Sequence, residues 1–192
     1  MKYDYDKMKK ATTMFIEAIG DDPKREGLLE TPDRVAKMYK ILLGGYGADN
    51  TEHVKLFKAE SQDMVTLHNI PIYSFCEHHI VLFVGKLHVA YVPSEKVIGV
   101  SKIVRIARTH TKKLQIQERL VKDIADDLEK LLSPQGVAVQ IQAQHFCMAL
   151  RGVRANNSVM TTTAVRGLFK EDSKARSEFL DTIKKEGSVY GY

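Results

Sequence analysis

The sequence predicts an α+β fold in which an antiparallel sheet follows a helical segment. Two observations predict it. Apolar residues recur at helical spacing up to about residue 45, and from residue 64 onward several stretches alternate apolar and polar side chains as strands do. The order of helices, two strands, two helices, two strands and a helix is typical of an antiparallel sheet with helices packed against it. We therefore predict an N-terminal helical segment at residues 1–60 and one structural unit at residues 61–192.

Two helices are predicted in the N-terminal segment. The first covers residues 6–19 and is ended by the Gly-Asp-Asp-Pro sequence at residues 20–23. The second begins at Thr31, predicted as the N-cap, with Pro32 at the first helical position, and it ends at Gly44.

The same periodicities predict the elements of the second unit. One alternating stretch begins at Met64 and is interrupted at Pro71, and another covers residues 85–92, so the corner at residues 76–79 joins a hairpin or a close relative of one. The remaining predictions are helix, helix, strand, strand and helix, at residues 101–110, 114–132, 137–144, 160–165 and 169–185.

The composition argues against several classes of protein. No run of about 18 apolar residues is present, so no membrane span is expected, and the N-terminus lacks the apolar stretch of a signal peptide. The net charge of +5 suits an anionic ligand, but without a lysine-rich tail or an interleaved aromatic stripe we expect no nucleic-acid binding. Two cysteines are too few for a disulfide scaffold, and we expect a cytoplasmic protein.

Each of the two cysteines lies within three residues of a histidine, in Cys76-Glu77-His78-His79 and in His145-Phe146-Cys147. Thiolate with imidazole is a ligand set that selects zinc, and three such ligands leave one coordination position for water, as in catalytic sites. Because a tight turn can present Cys76 and His79 to one ion, we predict the ligand set Cys76, His79 and Cys147. The alternatives are a set in which His78 or His145 replaces a ligand, two buried thiols, and a Cys76–Cys147 disulfide.

The neighbours of these ligands carry further predictions. If the second half of the sheet continues as a strand over residues 137–150, His145 and Cys147 share one of its faces; on such a face His145 is alternatively a hydrogen-bonded core residue. His78 is expected to point away from the ion and to be free for proton transfer. Glu77 either orients an imidazole or serves as a helix-start charge.

A second cluster of residues suits a phosphate. Ser101 is predicted as the N-cap of a helix with Lys102 and Arg105 in its first turn. Cations oppose the helix dipole at that end, an arrangement that makes sense if free N–H groups, dipole and both cations bind an anion. Arg151, followed by Gly152, adds a cation just beyond the second cysteine. The alternative is an ordinary solvated surface turn.

The dipeptide Gln117-Glu118 suits a guanine edge. Together the two side chains offer a donor and acceptors, and a carboxylate can accept from N1–H and the exocyclic amine at once. The alternative is a solvated helix surface.

At these residues the chain resembles the zinc-dependent GTP cyclohydrolase I family. The resemblance follows the family's order over nearly the whole chain, and the matching stretches are highly specific when taken together. They are residues 26–39, 76–79, 99–102 with Arg105, 114–119, 145–147, 151–152 and 161–169. The departures are small: Leu82 stands where the family often has proline, and Lys112-Lys113 replaces a frequent arginine-containing turn.

The resemblance implies a reaction on GTP, in which zinc-bound water adds at C8 of guanine, the imidazole ring opens, formate leaves and 7,8-dihydroneopterin triphosphate forms, the first step of tetrahydrofolate and pterin biosynthesis. Position by position, it implies Cys76, His79 and Cys147 as zinc ligands, His78 and His145 as the proton-transfer pair, Glu118 with Gln117 as the guanine anchor, and Ser101, Lys102, Arg105 and Arg151 as the triphosphate clamp. Arg34 falls where the family sends an arginine into a neighbouring subunit's site.

The resemblance also implies a fold and an assembly. The fold is the tunnelling fold, a four-stranded antiparallel sheet with two helices between the strand pairs, here preceded by the helical segment. The assembly is a decameric toroid of identical subunits, with one zinc per subunit and sites at the subunit junctions. Two rivals remain: a regulatory relative that binds GTP or a pterin without turnover, and a structural-zinc module. The intact His78, His145 and Cys147 argue against the first, and the missing fourth ligand argues against the second.

Overall fold

The computed structural model describes residues 3–49 and 54–184. The chain divides into two compact units, Met1–Ala48 and Asp49–Tyr192. No helix within the described ranges is long and apolar enough to cross a membrane.

The first unit is a pair of helices, α1 (Tyr5–Ala18) and α2 (Thr31–Leu42), with a short 3-10 helix between them. The carboxylate of Asp4 caps α1 by accepting from the backbone N–H of Lys7 at 2.9 Å. The predicted N-cap of α2 is wrong by one residue: Glu30 holds that position and Thr31 is already helical, with proline inside the first turn.

The second unit contains two sheets and five helices in its described part. The smaller sheet pairs two short strands, β1 (Leu56–Lys58) and β4 (Lys96–Ile98). The larger sheet has the order β5-β2-β3-β6-β7. Its strands are β2 (Val65–Cys76), β3 (Val81–Val92), β5 (Leu114–Gln115), β6 (Gly136–His145) and β7 (Met160–Gly167). The helices are α3 (Val100–Thr111), α4 (Gln117–Leu132), α5 (Phe146–Ala149), α6 (Leu168–Glu171) and α7 (Ser173–Lys184).

The predicted four-stranded antiparallel sheet is confirmed, because β2, β3, β6 and β7 pair antiparallel in that order. The helices α3 and α4 lie between the two strand pairs in the chain, as predicted. Apolar residues of one sheet face pack against both helices, while the opposite face packs Ala90 and Ala138 against Phe169 and Phe179 of the C-terminal helices. Burial on both faces fixes the register of the central strands.

Two predicted element boundaries are wrong, one of a helix and one of a strand. The prediction that a helix begins at residue 114 is wrong, because Leu114 and Gln115 are extended and pair in parallel with Phe75 and Cys76 at the end of β2. Pro71 does not interrupt β2, which runs through it. Proline is tolerated there because β5 reaches only the last two residues of β2, so the missing N–H falls on an edge strand of the described sheet.

Gly85 provides a test of the strand packing beside the site. It lies opposite Ala143, and a Cβ added to it would meet the Gln142 carbonyl oxygen at 2.0 Å. We expect Gly85→Ala to lower the free energy of unfolding by about 3 kcal/mol, because backbone atoms of β6 cannot yield as a side chain could. Urea unfolding measures the loss. Gly27→Ala is the control, since its nearest obstacle is the flexible end of Arg25; equal losses would contradict the packing argument.

Candidate metal centre and active site

A tight turn between β2 and β3 presents the first cysteine and two histidines. The carbonyl oxygen of Cys76 accepts from the backbone N–H groups of His79 and Ile80, at 3.3 and 2.8 Å. Ile80 has φ of 53°, a left-handed conformation that is strained for a β-branched residue. The two hydrogen bonds thus hold the turn despite the backbone strain at Ile80. The turn in this way sets the positions of both imidazoles.

Both imidazoles of this turn approach the sulfur of Cys76. The Nδ1 atoms of His78 and His79 lie 3.8 and 3.9 Å from Cys76 Sγ. His78 thus lies close to the Cys76 sulfur, although it stands outside the donor group of Cys76, His79 and Cys147, and its predicted role in proton transfer stays a prediction. His79 differs from His78 in forming, with Cys76 and Cys147, a group of donor atoms that all lie within 4.8 Å of one another.

The second cysteine comes from a helical turn. β6 ends at His145, and residues 146–149 form α5, in which Leu150 donates its backbone N–H to the Phe146 carbonyl. The prediction of a strand through residue 150, with His145 and Cys147 on one face, is wrong. β7 stops pairing at Ala143, so beyond it the backbone has no second ladder partner and satisfies its hydrogen bonds locally.

The donor set Cys76, His79 and Cys147 fits zinc. A tetrahedral zinc ion with bond lengths near 2.3 Å to sulfur and 2.1 Å to nitrogen holds its ligands roughly 3.4–3.8 Å apart. The distance of 3.9 Å from Cys76 Sγ to His79 Nδ1 already approaches this value. Burial and the neighbouring Cys76 raise the pKa of the Cys147 thiol. A bound cation would offset this free-energy cost of ionising the thiol. The group contains three donors among the described residues, which leaves a coordination position for water.

His145 is held rigidly beside this centre. Its ring stacks on Phe83 with centroids 4.7 Å apart and planes 9° from parallel, and its Nε2 lies 2.9 Å from Gln117 Oε1. An amide oxygen only accepts, so Nε2 carries the proton and Nδ1 the lone pair. Burial lowers the pKa of His145, with Glu118 acting in the opposite direction. The ring is therefore fixed in both orientation and tautomer.

Gln117 occupies a different place from the one predicted. Its side chain is buried, and the two N–H groups on its Nε2 are directed at three acceptors, Ile141 O, Met160 O and Thr162 Oγ1, at 2.9–3.1 Å. With its oxygen on His145, the whole amide is engaged, so the predicted side-chain contact with guanine is revised to a contact that orients His145. Glu118 beside it is exposed and available to a ligand.

The predicted phosphate cluster stands at the start of α3. Gly99, not Ser101, is the N-cap, because the helix already begins at Val100 and Lys102 donates its N–H to the Gly99 carbonyl at 2.8 Å. Within residues 3–49 and 54–184, the side chains of Lys102 and Arg105 form no salt bridge and no hydrogen bond, with the metal donors or with any other residue. Both cations are thus available to an anion.

The other two predicted cations occupy different parts of the chain. Arg151 is exposed just after α5, near enough to Cys147 for its charge to lower the pKa of that thiol against the other influences. Arg34 lies on α2, where its exposed guanidinium pairs with Glu30, the N-cap of that helix.

The model of the family GTP cyclohydrolase I matches residues 8–184. The chain belongs to the GTP cyclohydrolase I family. It is 47% identical over 181 residues to GTP cyclohydrolase 1 of Methylococcus capsulatus, which covers 93% of this chain and 98% of that relative. It is 46% identical over 185 residues to GTP cyclohydrolase 1 of Caldanaerobacter subterraneus subsp. tengcongensis, covering 95% and 98%.

A solved structure of the archaeosine synthase QueF-Like in the apo form is also similar, at 16% identity and a TM-score of 0.47, over 56% of this chain and 97% of that one. As a GTP cyclohydrolase I family member with the sheet described above, the chain has the tunnelling fold.

Sequence reasoning missed three contacts in this family member's site. Phe83 stacks on His145, Thr162 accepts from Gln117, and Arg119 binds the carboxylate of Glu77. Neither interpretation offered for Glu77 matches this contact. Only the register Phe83↔His145 could have indicated the stacking, and register was not readable from the sequence.

Proposed function

We propose that this chain is a zinc-dependent GTP cyclohydrolase I, which opens the imidazole ring of the guanine of GTP, releases formate and forms 7,8-dihydroneopterin triphosphate. This is the first step of tetrahydrofolate and pterin biosynthesis, and we assign the protein to the cytoplasm. The observation that carries the proposal is the Cys76, His79 and Cys147 donor group beside an oriented His145 in a member of this family. We assign the chemistry to the second compact unit, Asp49–Tyr192, which includes β1 because that strand pairs with β4, and we treat the first unit as an accessory helical segment that is shorter than the predicted residues 1–60.

The requirement for a metal follows from the low reactivity of the guanine carbon that water must attack. C8 of guanine is a poor electrophile, and zinc at Cys76, His79 and Cys147 supplies the Lewis acidity that makes hydrolysis there feasible near neutral pH. Two thiolates and one imidazole bring two negative charges to the dication. That donor set suits a single zinc per subunit.

His78 and His145 are proposed to move the protons. Ring opening and reclosure need repeated proton transfers, and imidazole titrates in the working range of pH. His145 presents Nδ1 as a base because Gln117 holds its Nε2 proton. His78 lies on the turn between β2 and β3, with its Nδ1 3.8 Å from Cys76 Sγ, and so approaches the centre from a different part of the chain than His145 does.

Substrate binding is assigned to groups that do not react. The carboxylate of Glu118 accepts hydrogen bonds from the guanine edge. The triphosphate is bound by Ser101, Lys102, Arg105 and Arg151. The free cations at the α3 N-terminus support this assignment, since dipole and side chains there favour an anion. The binding energy of the triphosphate positions C8 at the metal.

Lys102→Ala is expected to raise KM for GTP by about tenfold or more, because it removes a charge-assisted contact to a phosphate while leaving the reacting groups in place. Steady-state formate release measures the change. Lys96→Ala, an exposed lysine on β4, is the control and should leave KM unaltered. A K102A protein with wild-type KM would remove Lys102 from the triphosphate clamp.

We further propose that the chain works as a homodecamer with sites at subunit junctions, to which Arg34 contributes from a neighbouring subunit. The outer edge of β7, and that of β2 before Phe75, have no strand partner within the described residues, and such edges favour pairing with another copy. Sedimentation analysis gives the subunit number directly.

The experiment that tests the function is incubation of purified protein with GTP, followed by assays for formate and for a fluorescent pterin, with and without a chelator. We expect both products, and we expect the chelator to abolish them. GTP binding without formate would favour a regulatory relative. Formate release that survives complete zinc removal would contradict the metal assignment.

A further inference from the structure

The segment at residues 114–119 contacts both parts of the chain that surround the metal centre. The first arm is the turn between β2 and β3, and the second arm is the end of β6 with α5. The first two residues of the segment form β5, and the carbonyl of Gln115 accepts from the backbone N–H of Glu77 at 3.0 Å. Its Gln117 side chain reaches His145 on the other arm at 2.9 Å. Arg119 then turns back to the first arm and binds Glu77.

The Glu77–Arg119 contact is a double hydrogen bond. Nη1 of Arg119 donates to Oε2 at 2.6 Å and Nη2 donates to Oε1 at 3.0 Å, so both carboxylate oxygens are engaged. A partly exposed pair contributes little to stability, but a forked pair fixes direction as well as distance.

The two partners stand next to residues with proposed roles. Glu77 lies in the chain between Cys76 and His78, and Arg119 directly follows Glu118. The pair therefore joins the turn that carries the metal donors to the helical turn that carries the guanine anchor. Because the contact is forked, it resists a change in the distance and direction between these two turns.

We propose that Glu77 and Arg119 are positioning residues that fix the guanine held by Glu118 relative to the metal centre. This inference rests on the proposed function. Neither Glu77 nor Arg119 belongs to the proposed metal ligands, proton-transfer residues or substrate-binding residues, so losing the pair is expected to displace the substrate without removing a binding or reacting group. The signature is a fall in kcat with GTP affinity and zinc content preserved.

The test compares E77Q, R119Q and the double variant with a matched pair elsewhere. Arg166 on β7 binds Asp126 of the same helix α4 at 2.7 Å, and its strand position opposite Val137 lies at the far end of β6 from His145. R166Q and D126N therefore remove an arginine–carboxylate contact to α4 away from the site. For each protein we measure kcat and KM, zinc per subunit, the thermal midpoint, and the Kd for GTP after zinc is removed.

We expect each single variant at the Glu77–Arg119 pair to lower kcat by about 10- to 100-fold, the cost of a displacement near 1 Å at the reacting atoms. The Kd for GTP and the zinc content should stay within about threefold, and the double variant should lose no more than the worse single, because the residues act as a unit. R119K should lose part of the activity, since an ammonium cannot make the two parallel bonds. R166Q and D126N should keep kcat.

Three results would overturn the inference. They are single variants whose kcat stays within about twofold of wild type, a fall in kcat that lost zinc accounts for in full, and losses that multiply in the double variant. These are distinguishable from failure of the proposed function. If wild-type protein releases no formate from GTP, the function and this inference fall together; if wild type is active and the variants are too, only the inference falls.

Discussion

Replacing Cys147 with serine is expected to remove zinc and to reduce formate release by well over 100-fold. Substitutions of the outer partners of metal ligands commonly cost 10- to 100-fold, and the loss of a ligand itself exceeds that. A serine hydroxyl does not ionise near neutral pH and so cannot replace the thiolate, which leaves Cys76 and His79 as two donors. Elemental analysis and the formate assay measure the two losses, and circular dichroism reports whether the fold is kept.

The control for C147S is Met148→Ala in the same helical turn. Met148 is 40% exposed and is not one of the predicted ligands, so the substitution perturbs α5 while leaving the three predicted ligands in place. M148A should retain zinc and activity. A C147S protein that binds one zinc per subunit and releases formate near the wild-type rate would exclude Cys147 as a ligand, and the alternative of His145 in its place would then need the same test.

The sequence sufficed for the main strands and for the donor set because both depend on local signals. The alternation over residues 85–92 and 137–144 reports a sheet buried on one face or both, and β3 and β6 contain these stretches. The rarity of cysteine, with a histidine beside each one, likewise identifies Cys76 and Cys147 without any knowledge of the fold. Neither inference needs to know which strand lies beside which.

What the sequence could not provide was tertiary context. Leu114 and Gln115 precede a strong helix, and only their pairing with Phe75 and Cys76 makes them a strand. Gln117 looks like surface on a polar helix start, yet it is buried because the sheet supplies two carbonyls and a hydroxyl for its amide. In each case a hydrogen-bond partner distant in sequence decided the outcome.

The end of β6 at His145, before Cys147, affects the geometry of the metal centre. A strand through Cys147 would have set its sulfur about two residues along the sheet from His145, near 7 Å away. The helical turn α5 brings Cys147 Sγ within 4.8 Å of the other donors while His145 remains on β6, stacked on Phe83. The change of backbone conformation after His145 thus lets Cys147 join the metal donors while His145 stays in the sheet.

His78→Asn is expected to leave zinc and fold intact and to lower formate release by about 10²- to 10⁴-fold, the range typical of a lost general acid or base. The matched contrast is His79→Asn at the next position, which should lose zinc as well as activity. The pair is decisive because both Nδ1 atoms lie at nearly the same distance from Cys76 Sγ, 3.8 and 3.9 Å, while His79 alone forms the three-donor group within the described residues. If H78N loses zinc and H79N keeps it, the two imidazoles exchange roles. If H78N keeps zinc and turns over GTP at the wild-type rate, proton transfer belongs to His145 and solvent, since a group essential to ring opening cannot be removed without effect.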